Sequence, residues 1–546
     1  MLFKQNKNRE TYGMLEILIK MLYVVVGIAP FLLTLINTGA YIFAYRHAKQ
    51  YLIVFYLFTF LMLFFAFLCI NKLPERESKD QKKYTLIVLF VMTIFLRVVA
   101  MLIMKSQPVS DFYMAYDNAV KIVNGIIDPH YQVHYGTYPY WGFYSLTLAL
   151  IFKIFAPSVL VGQAFNCMVG AFTTISIYFA AKKIMGSYKI GIMAAVLYMI
   201  NPTIIIYNTV LSGEHLIMLS SCAVIYLLID SNQIQRTKED AKKIFFKYVW
   251  LGIFMGVIAS YKPIHVIYLI ALIIYEIIFY IFKYMKERKE TRKVIIEIGL
   301  IFTIVISCKM VTALNQTILY NVMNINSDEA FRIHEGYGFP ILAGLAIDEN
   351  GNWAPKEAGV FKDNYTGAKE DFSKACFREV QNYIERYYDK YPIMFWQKFS
   401  TSWGRYGRYP ESAFIAWSFY PTAIFDQGDA GQHPIIETYY AEVSTFLGQY
   451  YFLWMFFAFW GVISMLKGKI NHGLFYCILV IFGFVLMGCF AEVQMRYRSI
   501  LFPYISILSA VGMNDIIIKL SCLASGIKRL LTGIRNRTEK DGDLFQ

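Results

Sequence analysis

The chain reads as an all-α polytopic membrane protein of about twelve transmembrane helices, and three observations predict it. Of its 546 residues, 57% are hydrophobic and 16% charged, against roughly 25% charged in soluble domains. The apolar surplus comes in blocks of about 20 residues, enough to cross a bilayer core as helix. The basic residues then fall in alternate loops, as the positive-inside rule requires. That pattern accounts for the net charge of +14 without a nucleic-acid partner.

In chain order the spans are expected near 21–44, 51–70, 84–104, 158–181, 189–209, 211–230, 248–260, 264–282, 294–314, 443–466, 471–490 and 499–518. The span at 248–260 is short. With the N-terminus inside, the inside segments are 1–20, 71–83, 182–189, 231–247, 283–293, 467–470 and 519–546, and together they carry +19. Everything else totals −5, and the long loop 315–442, with 11 basic and 17 acidic residues, is itself −6. Arg46 and Lys49, placed outside, are the local exception. Both termini are thus expected in the cytoplasm. Lys4, Lys7 and Arg9 precede an apolar stretch too long for a signal h-region, with no small-residue cleavage site behind it, so no cleavable signal is expected. Residues 141–155 are too short for a span, and making them one would invert the following loops. They read as a helix on, or dipping into, the outer face.

The organisation expected is two extra N-terminal helices (1–83), a membrane core (84–314) with a first outer loop at 105–157, a mixed outer loop domain (315–442), C-terminal helices (443–518) and a basic cytoplasmic tail (519–546). Within 315–442, Phe339 to Trp353 alternates apolar residues with turn formers, Asp371 to Tyr391 reads as amphipathic helix, and Pro392 to Trp396 offers an aromatic membrane-surface face. Only Cys376 lies in that loop, so no disulfide forms within it, and no Cys or Cys/His spacing suggests structural zinc. Short inside loops and the absence of GxxxxGK[ST] argue against ATP-driven transport by this chain alone.

Asp111 is the most informative residue. It opens the first long outer loop, in Ser110-Asp111-Phe112-Tyr113, just past a span. A carboxylate in a partly dehydrated site can take an acceptor proton; the bland alternative is that Ser110 or Asp111 caps the helix that follows. Glu214 and His215 form a second acid site in a turn with almost no loop; the alternative is a polar turn at a span entry. Lys262, Arg496 and Arg498 are outward cations that run against the charge rule. They suit a phosphate, or else Lys262 snorkels and Glu492 pairs with Arg496 at helical i,i+4 spacing. Arg97, inside a span, is a functional candidate by its position. His130 and His134 lie on the same outer loop.

Taken in order, Ser110-Asp111-Phe112-Tyr113, Tyr138-Pro139-Tyr140-Trp141, Ala181-Lys182-Lys183-Ile184-Met185-Gly186, Asn201-Pro202, Gly213-Glu214-His215, Tyr261-Lys262-Pro263 and Glu492 to Arg498 before Pro503 resemble the GT-C superfamily of integral-membrane glycosyltransferases. This superfamily includes protein O-mannosyltransferases, the lipid A aminoarabinose transferase and oligosaccharyltransferases. In many relatives a second acid follows the first at once; here Phe112 follows Asp111. The resemblance implies a polyprenyl-phosphate sugar donor and an acceptor glycan, lipid or protein at the outer face of the cell membrane. It implies Asp111 as base, with Glu214 as second acid, and a donor phosphate on Lys262, Arg496, Arg498 and Arg97. Tyr113, Tyr138, His215 and Glu492 would bind substrate. If a divalent metal (Mg or Mn) takes part, the implied ligands are Asp111, Glu214 and His215. The rival readings are a polymerase of lipid-linked glycans and a non-enzymatic lipid or solute transporter, for which Asn201-Pro202 is the best midplane feature.

Overall fold

The structure is a computed structural model describing residues 20–22, 24–44, 49–74, 76–232, 240–281, 291–334, 336–347, 351, 371–404, 434–466 and 471–542. Among the described residues it is helical, with no strand. Among the described residues eight helices are long and apolar enough to cross a membrane: Lys79–Met104, Val159–Met185, Glu214–Ser231, Ala241–Tyr261, Val294–Met323, Phe446–Met465, His472–Phe490 and Met495–Gly526. Four shorter apolar helices, Lys20–Ile36, Thr59–Asn71, Tyr188–Met199 and His265–Phe279, fall where the remaining expected spans lie. The chain is a multi-pass membrane protein.

The departures from expectation have local causes. The expected span 189–209 is broken after Met199, because Pro202 starts a new helix and the Asn201 side chain accepts the Thr203 and Ile204 amides as its cap. The expected short span 248–260 is a full helix, Ala241–Tyr261, whose first turns carry the basic residues Lys242, Lys243 and Lys247. The helix expected to end at 314 runs to Met323. At 1.5 Å per residue its 33 residues span about 50 Å, against a hydrocarbon core of about 30 Å. It is thus longer than a hydrocarbon core is thick.

The segment expected outside is not mixed where it is described: Ser327–Ile333, Gly338–Gly344, Phe372–Tyr387 and Tyr391–Trp403 are all helices. The apolar–turn alternation from Phe339 closes into a short helix because Phe339 and Leu342 bury against Phe372, Cys376 and Met394 in one small core. Residues 335, 348–350, 352–370 and 405–433 of that segment, and Arg46, lie outside the described residues.

Packing sorts the bundle. In an apolar 18-residue stretch of the last span 83% of the residues are buried, against 22% in Lys79–Met104 and 28% in Val294–Met323. The latter two present rows of apolar side chains such as Phe95, Leu102, Phe302 and Met310 to the surroundings, as lipid-facing helices do. Ser110–Val123 and Pro139–Ile154 pack together through Ala115, Ala119, Tyr144, Leu148 and Phe152. Three of the segments expected inside, 71–83, 182–189 and 231–247, meet at one end of the bundle. Lys182 pairs with Glu77, Lys183 and Lys247 both pair with Asp230, and Lys189 donates to the Asn71 carbonyl.

Candidate active site

At the other end of these helices a second charge cluster forms. Asp111 lies in the first turn of Ser110–Val123, but the helix is capped by Val109 with no side-chain hydrogen bond. The capping alternative therefore fails for both Ser110 and Asp111. Instead Ser110 takes φ +51°, a left-handed conformation uncommon outside glycine. The Asp111 side chain is 40% exposed and faces Arg496 Nη2 at 3.7 Å. Phe112 is buried beneath, 4.9 Å from the Arg496 guanidinium and edge-on to Trp141. The hydrophobic residue that replaces the second acid is thus the floor under the arginine.

Glu214 begins the span Glu214–Ser231 and is buried. Lys262 Nζ donates to its Oε1 at 3.0 Å, while the Tyr207 hydroxyl and Ser212 Oγ (3.2 Å) donate to Oε2. Lys262 is reached because Ala241–Tyr261 ends one residue before it and the chain turns extended there. Its ammonium stands 3.4 Å from the centre of the Tyr497 ring. Burial pushes the Lys262 pKa below the ordinary lysine value, and Glu214 opposes that shift. Arg496 is buried among Asp111, Glu214 and Tyr497, so the Asp111 loop and the Glu214 turn share one arginine.

The C-terminal arm reaches this place by changing conformation. Ala491 and Gln494 are extended, and a 3-10 helix starts at Met495. Glu492 and Arg496 are therefore not a helical i,i+4 pair. Gln494 lies between them: its Nε2 donates to Glu492 Oε1 at 2.8 Å, and its Oε1 accepts from Arg496 Nε at 2.7 Å. Glu492 also accepts from the Tyr497 hydroxyl at 3.3 Å. Two residues along a 3-10 helix turn the side chain by about 240°, which carries Arg498 away from Arg496. Arg498 Nη1 donates to the Ser402 carbonyl at 2.9 Å, and its guanidinium lies 4.1 Å from the Tyr451 ring.

Other expected residues stand apart. Arg97 is fully buried in its span, against Gly170 and the Tyr198 ring, with Nη1 on the Thr93 carbonyl; none of these is a cluster residue. His215 does not stand apart: it is buried beside Tyr207, ring centroids 5.5 Å apart, but its Nε2 is engaged by the Val210 carbonyl at 3.2 Å. Tyr138 joins two short helices and packs on His134 and Tyr140. Tyr113 is exposed on the Asp111 helix. His130 and His134 stack on one another. Among the described residues no three His, Cys, Asp or Glu side chains converge as metal ligands. Both Glu214 oxygens are already committed, and Lys262 and Arg496 stand beside the two carboxylates, so the residues present do not fit a divalent ion and no step is drawn through one.

Three contributors escaped the sequence reading. Tyr207 and Gln494 are uncharged; the available signal for Gln494 was the alternation Glu492, Gln494, Arg496 with apolar residues between. The third is Lys398. It is buried with Nζ on the carbonyls of Gly344, Cys489 (3.0 Å) and Ala491 (2.9 Å). It thereby ties the helices Gly338–Gly344 and Tyr391–Trp403 to the end of His472–Phe490. Burial pushes its pKa down to about 7, while the three carbonyls pull the other way by taking up its three N–H bonds. Glu492 N to Pro340 O (2.8 Å) and Val493 N to Gly351 O (3.1 Å) complete the attachment.

No family model matches the sequence, and no curated protein matches it. Among solved structures the chain is similar to the archaeal oligosaccharyltransferase AglB from Archaeoglobus fulgidus, solved in complex with an inhibitory peptide and a dolichol-phosphate. The identity is 12%, the TM-score 0.44, and the match covers 83% of this chain and 52% of that one. The chain thus spans about half the length of that relative, and at this level the likeness says nothing of activity or ligands.

Proposed function

We propose that this protein is a membrane glycosyltransferase that moves a sugar from a polyprenyl-phosphate donor to an acceptor hydroxyl at the outer face of the membrane. The observation that carries the reading is the Asp111–Arg496 contact beside the buried Glu214–Lys262 pair. An accessible carboxylate is held loosely by a buried guanidinium, at one end of a bundle whose short opposite loops leave no room for a nucleotide domain.

As folded, Lys262 faces Glu214 and Arg496 faces Asp111, while a third carboxylate, Glu492, is reached from Arg496 through Gln494. Lys262 is the tighter partner, at 3.0 Å with both side chains less than one-fifth exposed. Arg496 and Asp111 are 3.7 Å apart, so Asp111 is the carboxylate that an incoming phosphate displaces. The donor phosphate takes the Arg496 guanidinium, with Lys262 beside it, and Asp111 is freed to face the acceptor. The acceptor oxygen attacks the sugar C1 from the side opposite the phosphate. Its proton passes to Asp111, the C1–O bond to phosphate breaks, and the polyprenyl phosphate leaves with that electron pair, so the configuration at C1 inverts. Buried cations stabilise the charge gathering on the leaving phosphate. Glu214 keeps Lys262 and Arg496 in place, and Tyr207 and Ser212 orient it.

The test is release of polyprenyl phosphate from a polyprenyl-phosphate sugar by the purified protein in membranes supplied with envelope acceptors. Asp111→Asn is expected to fold normally and to lower the rate ~10²–10⁴-fold, the range for losing a general base. A folded Asp111→Asn protein that works at the wild-type rate would remove Asp111 from the chemistry.

A further inference from the structure

The geometry points to Gln494 as the positioning residue that aims Arg496 at the donor phosphate, an inference that rests on the function proposed above. A guanidinium offers five N–H bonds in a fixed plane. Which edge faces a ligand depends on what holds the others. In Arg496 the Nε–H is taken by Gln494 Oε1 at 2.7 Å, and Nη2 is the atom that faces Asp111. With Nε held, and the guanidinium plane resting on Phe112 and beside Tyr497, rotation about the last side-chain bonds is stopped.

Gln494 can do this because its own amide is fixed. Its Nε2 is committed to Glu492 Oε1, which leaves Oε1 as the acceptor turned to Arg496. A carboxylate at 494 would serve Arg496 but repel Glu492; an amide serves both. The backbone under Glu492 is fixed in turn by bonds to Pro340, Gly351 and the Lys398 ammonium. The helices Gly338–Gly344 and Tyr391–Trp403 therefore reach the arginine through a continuous hydrogen-bonded path, although they carry none of its charge partners.

The experiment is titration of the purified protein in detergent with farnesyl phosphate as the probe. Gln494→Met, matched in length and volume, is compared with wild type and with the same substitution in an Arg496→Lys background. Gln494→Met removes the bonds to the Arg496 guanidinium and to the Glu492 carboxylate; the lost aim of Arg496 corresponds to about 2–10-fold in phosphate affinity. Gln494→Met is expected to weaken binding by that factor with Arg496 present, and to change nothing in the Arg496→Lys background, where there is no Nε fork to aim. Equal loss in both backgrounds would overturn the positioning role, as would wild-type affinity for Gln494→Met while Arg496→Ala binds weakly. Wild-type affinity for Arg496→Ala would instead remove the phosphate from Arg496, and with it the function proposed above. Thermal melting monitors folding. Should Gln494→Met not fold, Glu492→Ala, which leaves Gln494 in place but removes its anchor, must show the same Arg496-dependent loss; wild-type binding by Glu492→Ala would overturn the inference.

Discussion

Two ion pairs close the two ends of one antiparallel helix pair, and they differ in what surrounds them. Glu214 starts Glu214–Asn232 and Asp230 lies near its end, about 24 Å apart at 1.5 Å per residue. Lys262 follows Ala241–Tyr261 and Lys247 lies near that helix's start. Asp230 meets both Lys183 and Lys247, with side chains about one-quarter exposed. Water and two flexible lysines share that charge, which suits a fastening at the end where basic loops gather. Glu214 meets Lys262 with 6% of the acid exposed, under Tyr207, Ser212 and Arg496. Here the charges have been taken out of water and held by fixed dipoles, which is the condition for electrostatic catalysis. The same pairing on the same helices is a strut at one end and a candidate site at the other. Burial separates them.

The largest effect that could break this contrast is on stability. Glu214→Ala leaves Lys262 and Arg496 buried with too little opposing charge, and removing one partner of a buried pair costs about 3–5 kcal/mol. Asp230→Ala, partly solvated, should cost only ~0.2–1 kcal/mol. Denaturant or thermal unfolding in detergent measures both; similar costs for the two would mean that burial does not set them apart.

Next in size is ligand binding. Lys262→Ala should weaken farnesyl phosphate ~10–150-fold, the value of a charge-assisted contact worth roughly 1.5–3 kcal/mol, while Lys247→Ala leaves it unchanged. Equal effects at the two lysines would point to bulk charge rather than to a site.

The finest distinction is in pH. Burial holds the Lys262 pKa below that of an ordinary lysine. As pH rises through that lowered value, the folded protein loses a proton that the unfolded chain still holds, so this group's contribution to stability increases with pH. Phosphate binding, which needs the ammonium, decreases over the same interval. Wild type minus Lys262→Met should show the two curves moving in opposite directions. Curves that fall together would mean that Lys262 keeps its proton and the pair is dominated by Glu214.

Much of this was legible in the chain because it depends on composition and periodicity. Apolar blocks must be helical where water is absent, and eight of the described helices are long and apolar enough to cross a membrane. Loop charge assigned the basic segments to a common side, and Glu77, Lys182, Lys183, Asp230 and Lys247 do meet there. The choice of Asp111, Glu214, Lys262 and Arg496 needed only that acids and outward cations be rare in such a sequence. Arg498 and His215 show where that reasoning stops: rarity does not say which way a side chain points. Arg498 is turned to the Ser402 carbonyl by a 3-10 helix starting at Met495, and His215 is turned to Val210.

The sequence by itself determined the class of protein, the sites of its helices and the shortlist of charged residues, because hydrophobic transfer and charge placement act residue by residue along the chain. Only the tertiary structure decided which charges meet, since Asp111 and Arg496 are brought together from opposite ends of the sequence by packing that no local pattern encodes. It also decided what the uncharged residues do. Gln494 between Glu492 and Arg496, and Phe112 beneath the guanidinium, have meaning only through neighbours in space, where one amide can satisfy a carboxylate and an arginine at once.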